Sequence, residues 1–480
     1  MASATYFIEV DWDNNGDFVD AFDDITDDVL TASFSRGKES ELDIAEVGRL
    51  ELRVKNADAK YSPWNVAGDL YGKLLPKRPI RLRTTDPVTV TLFYGYIEEI
   101  IPHPHLAEKD CYISAVDGLD YLARHELDTV LTKDALTGAL VTVILDAASW
   151  PAGLRTLDAG QDTVPYGYWS KVSARYALQE LEESERSLVY VDGSGNLVYE
   201  DRHHRWSATH QTSQATFTEN MVQIYPSQSA KYVFNEVRAT VTPWEIQGIA
   251  ELWRLEEVPV SIDTGQSKTW WANFDYFADT LTSPVATTDY TANSEAGGGG
   301  DDETGNVVVT FTPFAQSAKI AIQNNAGHIV YITLLKVRGT YYDDQTKVTR
   351  KAEDATSQTA YQKRTFALDA KFMTDAELAE SFCQVSLARY KDPQPEVAMV
   401  IINKNATNLL QILTRVISDR ITVVNSELGL NQDFFINKVE HEITEGGLSH
   451  TVRYTLVDAT NEDFWVLDYS ALGTGTKLGY

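Results

Sequence analysis

Asp11-Trp-Asp13-Asn-Asn15-Gly16-Asp17 places side-chain oxygens at alternate positions of a loop, with glycine at the sixth. Calcium takes several oxygen ligands, and this spacing is how a calcium loop begins. Asp11, Asp13, Asn15 and Asp17 are therefore candidate metal ligands. The twelfth position, where a bidentate Glu belongs, is Phe22, although Asp23 and Asp24 follow. Asn and Gly tolerate positive φ and so also suit a tight hairpin turn, which is the favoured reading.

Other chemistry-bearing residues are less organised. His103-Pro-His105 and His203-His204 offer imidazoles in pairs, but a metal site needs further convergent ligands and no third partner stands nearby. Both pairs are expected in exposed loops. Glu98-Glu99, Glu182-Glu183 and Asp301-Asp302 are carboxylate pairs in an acidic chain. Glycoside hydrolysis needs two carboxyls across one bond with divergent acidities, and nothing singles out such a pair. Gly-x-Ser-x-Gly, His-Glu-x-x-His and a phosphate-binding glycine loop are all missing from the sequence, so catalysis is not supported. Trp253, Trp270, Trp271, Phe274, Tyr276 and Phe277 crowd one region. They supply either core bulk for a small domain or, for Trp253, Trp270 and Trp271, rings that stack on sugars of a host surface polymer.

Composition narrows the function classes. At 480 residues the chain exceeds what one core supports. Seventy acids against 41 bases give a formal charge of -29, which disfavours binding to nucleic acid or to anionic membranes. Cys111 and Cys383 are the only cysteines, too few for a disulfide framework or a cysteine zinc site. No apolar run is long enough to span a membrane, and the first ten residues carry no basic stretch of a secretory signal. Synthesis and folding in a cytoplasm are expected.

The periodicities imply a mainly β chain with α+β material. Residues 1–118 alternate polar and apolar in short strands separated by turn residues, as a barrel would. In 119–243, Leu136, Leu140, Val143, Ile144 and Ala147 form one helical stripe, and Ala174, Ala177, Leu178 and Leu181 another. A hairpin turning at Asp192-Gly-Ser-Gly195 follows, completing a small α+β unit. Residues 244–348 shift to Trp, Tyr, Thr and Asn and interrupt an otherwise continuous pair of strands, Phe234–Val241 and Arg364–Asp369; they are expected to be an inserted β-sandwich. Thr374-Asp-Ala-Glu377 has the pattern of a capping box opening a helix. Residues 349–480 read as that helix plus a second barrel.

The N-terminal series carries a resemblance. Asn56-Ala-Asp58-Ala-Lys-Tyr61-Ser-Pro63, Leu75-Pro-Lys-Arg78-Pro-Ile-Arg-Leu82 and Leu92-Phe-Tyr-Gly95-Tyr-Ile97 occur in an order that resembles the tail hub proteins of tailed bacteriophages. Phe435-Ile-Asn-Lys-Val-Glu-His441 and Gly446–Leu456 look like the terminal strands of the same family. The resemblance covers about three quarters of the chain, and the insertion departs from it. It implies a structural virion component at the tail tip: a homotrimer with two tube-like barrels per chain in a pseudo-sixfold ring. Its implied partners are a distal tail or tail tube ring above and a tip spike or tail fibre below. The lumen would hold tape-measure protein or pass DNA without specific binding. No cofactor is implied, and with the chain stopping at Tyr480 the tip is expected to be a separate chain.

Two other readings stand beside the hub: a receptor- or glycan-binding module in the insertion, and a cell-wall hydrolase. The acid excess suits a bore that repels DNA. The basic cluster Lys77-Arg78 and Arg81-x-Arg83 is expected at subunit contacts, paired with acids.

Overall fold

The computed structural model describes residues 1–104, 109–218 and 222–459, and beyond them the paired strands Phe464–Trp465 and Lys477–Leu478. His105 and the rest of the chain after Ala459 lie outside the described residues. The fold is mainly β with α+β elements, 48% strand and 18% helix.

Alternating strands with one apolar face must bury that face. The first six do so together: β1 (Thr5–Val10), β2 (Val29–Gly37), β3 (Glu46–Lys55), β4 (Pro79–Asp86), β5 (Val90–Pro104) and β6 (Lys109–Val116). They hydrogen-bond in the order β1-β4-β5-β6-β3-β2. Ile8, Val10, Leu50, Leu52, Val54, Ile80, Leu82 and Ile113 fill the core between them. The segment just before β2 bonds back to β1, through Val10 N to Asp23 O at 2.9 Å and Ile25 N to Ile8 O at 2.9 Å.

A second group of six strands forms from the other end of the chain. Ser449–Asp458 lies between Leu430–Thr444 and Pro395–Ile402, and Val222–Gln228 pairs with the latter. Arg420–Asn425 takes part of the remaining edge of Leu430–Thr444, and Ala215–Thr218 adds to it in parallel. Two of these strands come from 215–228, a stretch read from sequence as part of the α+β unit. Their partners lie about 200 residues downstream, beyond the reach of local patterning.

The two groups are one sheet. Leu430–Thr444 pairs over its second half with β2, Ala32 opposite Ile443 through Gly37 opposite Lys438, giving twelve continuous strands. The helix Ala406–Thr414 reinforces the join: Leu409 and Leu413 enter the N-terminal core, and Ile412 enters the C-terminal one.

Between the two sheets' segments in sequence, helices Gly118–Arg124, Thr137–Ala147 and Ala174–Glu185 pack with the hairpin Leu188–Val191/Leu197–Glu200 around their own core, which includes Leu140, Ile144, Leu178 and Tyr199. Glu236–Val241 pairs antiparallel with Val348–Glu353 and parallel with Thr365–Ala370. Those strands carry the 244–348 segment, which has two sheets around a separate core containing Ile320, Ile322, Ile332 and Val337. Helix Ala376–Tyr390 is capped by Asp375, which accepts from Glu377 N at 2.8 Å. Asp375 thus does the capping expected of Thr374.

Candidate functional site

The place where the two six-stranded groups join is a built site. Leu430–Thr444 has Ser449–Asp458 along one edge, so Arg420–Asn425 and β2 must divide the other. The division falls at Asn437, where the pairing with Ser449–Asp458 also shifts register. Asn437 is fully buried, so its amide needs partners. Its Nδ2 donates to Lys38 O at 3.1 Å, and its Oδ1 accepts from Arg205 Nη2 at 2.9 Å. Gly37 faces this point at φ 110°, and a Cβ there would lie 2.4 Å from Asn437 O. Only glycine lets β2 come this close.

A network of paired charges spreads from that point. Glu41 receives both Nε and Nη2 of Arg389, at 2.7 and 2.9 Å, and the Tyr390 hydroxyl at 2.8 Å. Burial alone would raise its pKa, but Arg389, Arg205 and these hydrogen bonds outweigh it and hold the carboxyl at about 2. Arg205 also donates from Nε to Ser418 Oγ at 3.1 Å; Ser418 donates on to Glu200 Oε2 at 2.5 Å, and Tyr190 donates to Glu200 Oε1 at 3.0 Å. Lys38 donates to Glu41 O at 3.1 Å and is pushed down to about 8 by burial. The network ties the β2–β3 turn, the hairpin, the Ala376–Tyr390 helix and the C-terminal strands to one another.

Further along the join, the Tyr6 hydroxyl meets His450 Nδ1 at 2.7 Å, and His450 Nε2 meets His441 Nδ1 at 2.9 Å. Phe34, opposite His441 in the ladder, stacks on it at 4.4 Å and 9°. With Tyr6 donating, His450 donates to His441, and the buried Nε2 of His441 is left without a hydrogen-bond partner. Burial drives both imidazoles well below the ordinary histidine range, His450 to about 3. Both are neutral spacers at neutral pH. Each carboxylate of the adjoining network is paired with a guanidinium or hydroxyl, an arrangement for holding elements in place.

The residues singled out from sequence are distributed elsewhere. Asp11 accepts from Asn15 N at 3.1 Å and Gly16 N at 2.9 Å, closing its own turn, with Asn14 and Gly16 at positive φ. Asn15 Oδ1 caps Asp17 N at 3.0 Å, and Asp13 faces Lys73 at 3.9 Å. The acids that converge among the described residues are Asp17, Asp20 and Asp23, with ligand atoms within 4.8 Å of one another. Burial first, then the neighbouring Asp20 and Asp13, raises the Asp23 pKa.

His203 stacks on Trp206, and His204 meets Asp158 at 2.7 Å, so this pair diverges. Arg81 and Arg83 both grip Glu9, at 2.6 and 2.8 Å, and Lys77 grips Asp120 at 2.7 Å. Three of the four bases expected at subunit contacts are thus paired with acids of their own chain, and Arg78 donates to Lys73 O at 3.4 Å.

Trp253 and Trp270 pack against the core of the 244–348 segment, while Trp271 points outward and stacks on Phe314 at 5.6 Å. Sequence reasoning passed over Phe314, Glu41, Arg389 and Asn437. Phe314 stands at the end of an unremarkable strand, and Glu41 and Arg389 are 348 residues apart.

No known protein family matches the sequence, and no curated protein does. Solved structures do. The 43 kDa tail protein of prophage MuSo2 from Shewanella oneidensis is similar at TM-score 0.52 and 12% identity, over 95% of this chain and 98% of that one. The tail protein from Neisseria meningitidis MC58 is similar at TM-score 0.52 and 9% identity, over 95% and 97%. At such identities the likeness is one of fold, and over 95% of its length this chain has the fold of these two tail proteins.

Proposed function

We propose that the chain is the hub of a phage-type tail tip, a non-enzymatic virion protein acting as a homotrimer. The observation that carries this reading is the pair of six-stranded groups fused edge to edge in each chain. Three such chains supply six wall segments of two kinds, so threefold protein symmetry meets a pseudo-sixfold tube and the ring closes. The fold shared with these tail proteins over nearly all of both chains supports a place in a tail.

The β3–β4 connection supports assembly. Tyr61, Leu70 and Leu74 bury into the N-terminal core, while Trp64, Val66, Tyr71 and Leu75 face solvent, Trp64 at 78% exposure. Large apolar side chains exposed together on an anchored loop mark a protein contact.

In this reading one face of the ring meets a sixfold distal tail or tube ring, and the other holds the spike or fibre. Tape-measure protein or DNA occupies the bore, where carboxylates discourage binding. Electron microscopy of the purified protein tests it. Class averages should show a threefold ring with a central hole, and compact particles without a hole would refute it.

A further inference from the structure

The 244–348 segment presents a second surface that the hub reading leaves unused. Its smaller sheet has Ser317–Asn324 between Ser267–Asn273 and Val307–Pro313. Alternation sends Trp270, Ala272, Ile320, Ile322 and Phe311 to the core and leaves the other face open. Across that face Trp271 stands opposite Lys319, and Lys319 opposite Thr312; the next row is Thr269, Ala321 and Thr310. Trp271 is 55% exposed and Phe314 46%, and the two rings stack on each other.

The charge of this sheet is what decides its occupant. Its three strands contain no Asp or Glu, in a chain with 70 acids. What remains outward is two half-exposed rings and Val308 set among hydroxyls, two amides and one ammonium. A protein interface of ordinary size needs a larger apolar centre than this. Nucleic acid needs clustered Lys and Arg, and the three strands hold only Lys268 and Lys319. A pyranose ring has an apolar C–H face to lie on an aromatic ring and equatorial hydroxyls to bond with Thr, Gln and Lys.

The geometry points to this outer face as a binding site for neutral hexopyranose chains, with Trp271 and Phe314 as the stacking platform. Thr269, Thr310, Thr312 and Lys319 bond the sugar hydroxyls. Placed on a domain with its own core, the site gives the particle a means to engage a host surface polysaccharide.

Isothermal titration of the intact protein with cellohexaose, maltohexaose and chitohexaose tests this. At least one should bind saturably, with affinity weakened at least about tenfold in Trp271→Ala and in Phe314→Ala, the loss of one stacked ring. Ile249→Ala, exposed on the other sheet of the same domain, should bind as wild type. Thermal melting and native mass should not change in any variant. No saturable binding up to about 10 mM, weaker than specific sugar recognition requires, would overturn the proposal, as would undiminished binding by Trp271→Ala. A changed oligomeric mass in Trp271→Ala would also overturn it, by making the face a contact between copies.

Discussion

The join at Asn437 and the root of the 244–348 domain are both places where distant segments meet, and they use opposite chemistry. At the join, β2 and Leu430–Thr444 share a backbone ladder, a buried amide and a network of paired charges. At the root, Tyr166 packs against Trp244 and Phe277, each at 4.7 Å, and one ion pair, Lys133 to Asp279, spans the gap. Directional bonds and desolvated charges fix one geometry, because a displaced partner leaves a buried group unsatisfied. Aromatic contact and a half-buried ion pair, with no shared ladder or buried amide, tolerate displacement more readily. The difference separates a join that must hold its register from a contact that need not.

The largest expected effect comes from breaking the join. Glu41→Gln keeps the shape but removes the charge shared by Arg389 and Arg205. Urea unfolding should show a loss of about 1.5–3 kcal/mol, the worth of hydrogen bonds to a charged group in a half-buried pair. A loss under about 1 kcal/mol, as for an exposed pair, would place this network on the same footing as the root. Gly37→Ala should cost about 1–3 kcal/mol through its positive φ and the close approach to Asn437 O.

Acid sharpens the contrast further. His441 and His450 titrate near the ordinary value when unfolded, but burial depresses both in the fold, His450 to about 3. The unfolded chain then binds more protons, so their contribution is intact above pH 6.5 and falls as pH drops towards 3. Glu41, depressed to about 2, loses its contribution lower, between pH 4.5 and 2. Denaturation midpoints between pH 7.5 and pH 5 should therefore fall in the wild type and fall less in His441→Phe.

The smallest effect should come from the root. Gln345 N bonds Pro243 O at 2.9 Å, so the ends of the domain are already side by side. Replacing 245–346 with a short Gly/Ser linker should leave the remainder folded, with a melting temperature only a few degrees lower as Tyr166 loses its cover. Loss of cooperative melting would show that the root is structural.

Much of this architecture was legible in the sequence, for local reasons. Leu50, Leu52 and Val54 alternate within one strand, Leu140 and Ile144 repeat within one helix, and the composition of 244–348 breaks from its surroundings. What stayed hidden is non-local. Ala215–Thr218 and Val222–Gln228 look like any short strands until their partners near 421 and 398 are known. The join depends on Asn437 and Gly37, residue types that usually signal a turn. Trp271 could be named from sequence but not sorted from Trp270, because which of two adjacent rings faces outward depends on register.

Native mass spectrometry at particle-like concentration tests the central claim most directly. A species of three chains, each 53.6 kDa, is the result the hub reading requires. A single population at the mass of one chain or two would contradict it.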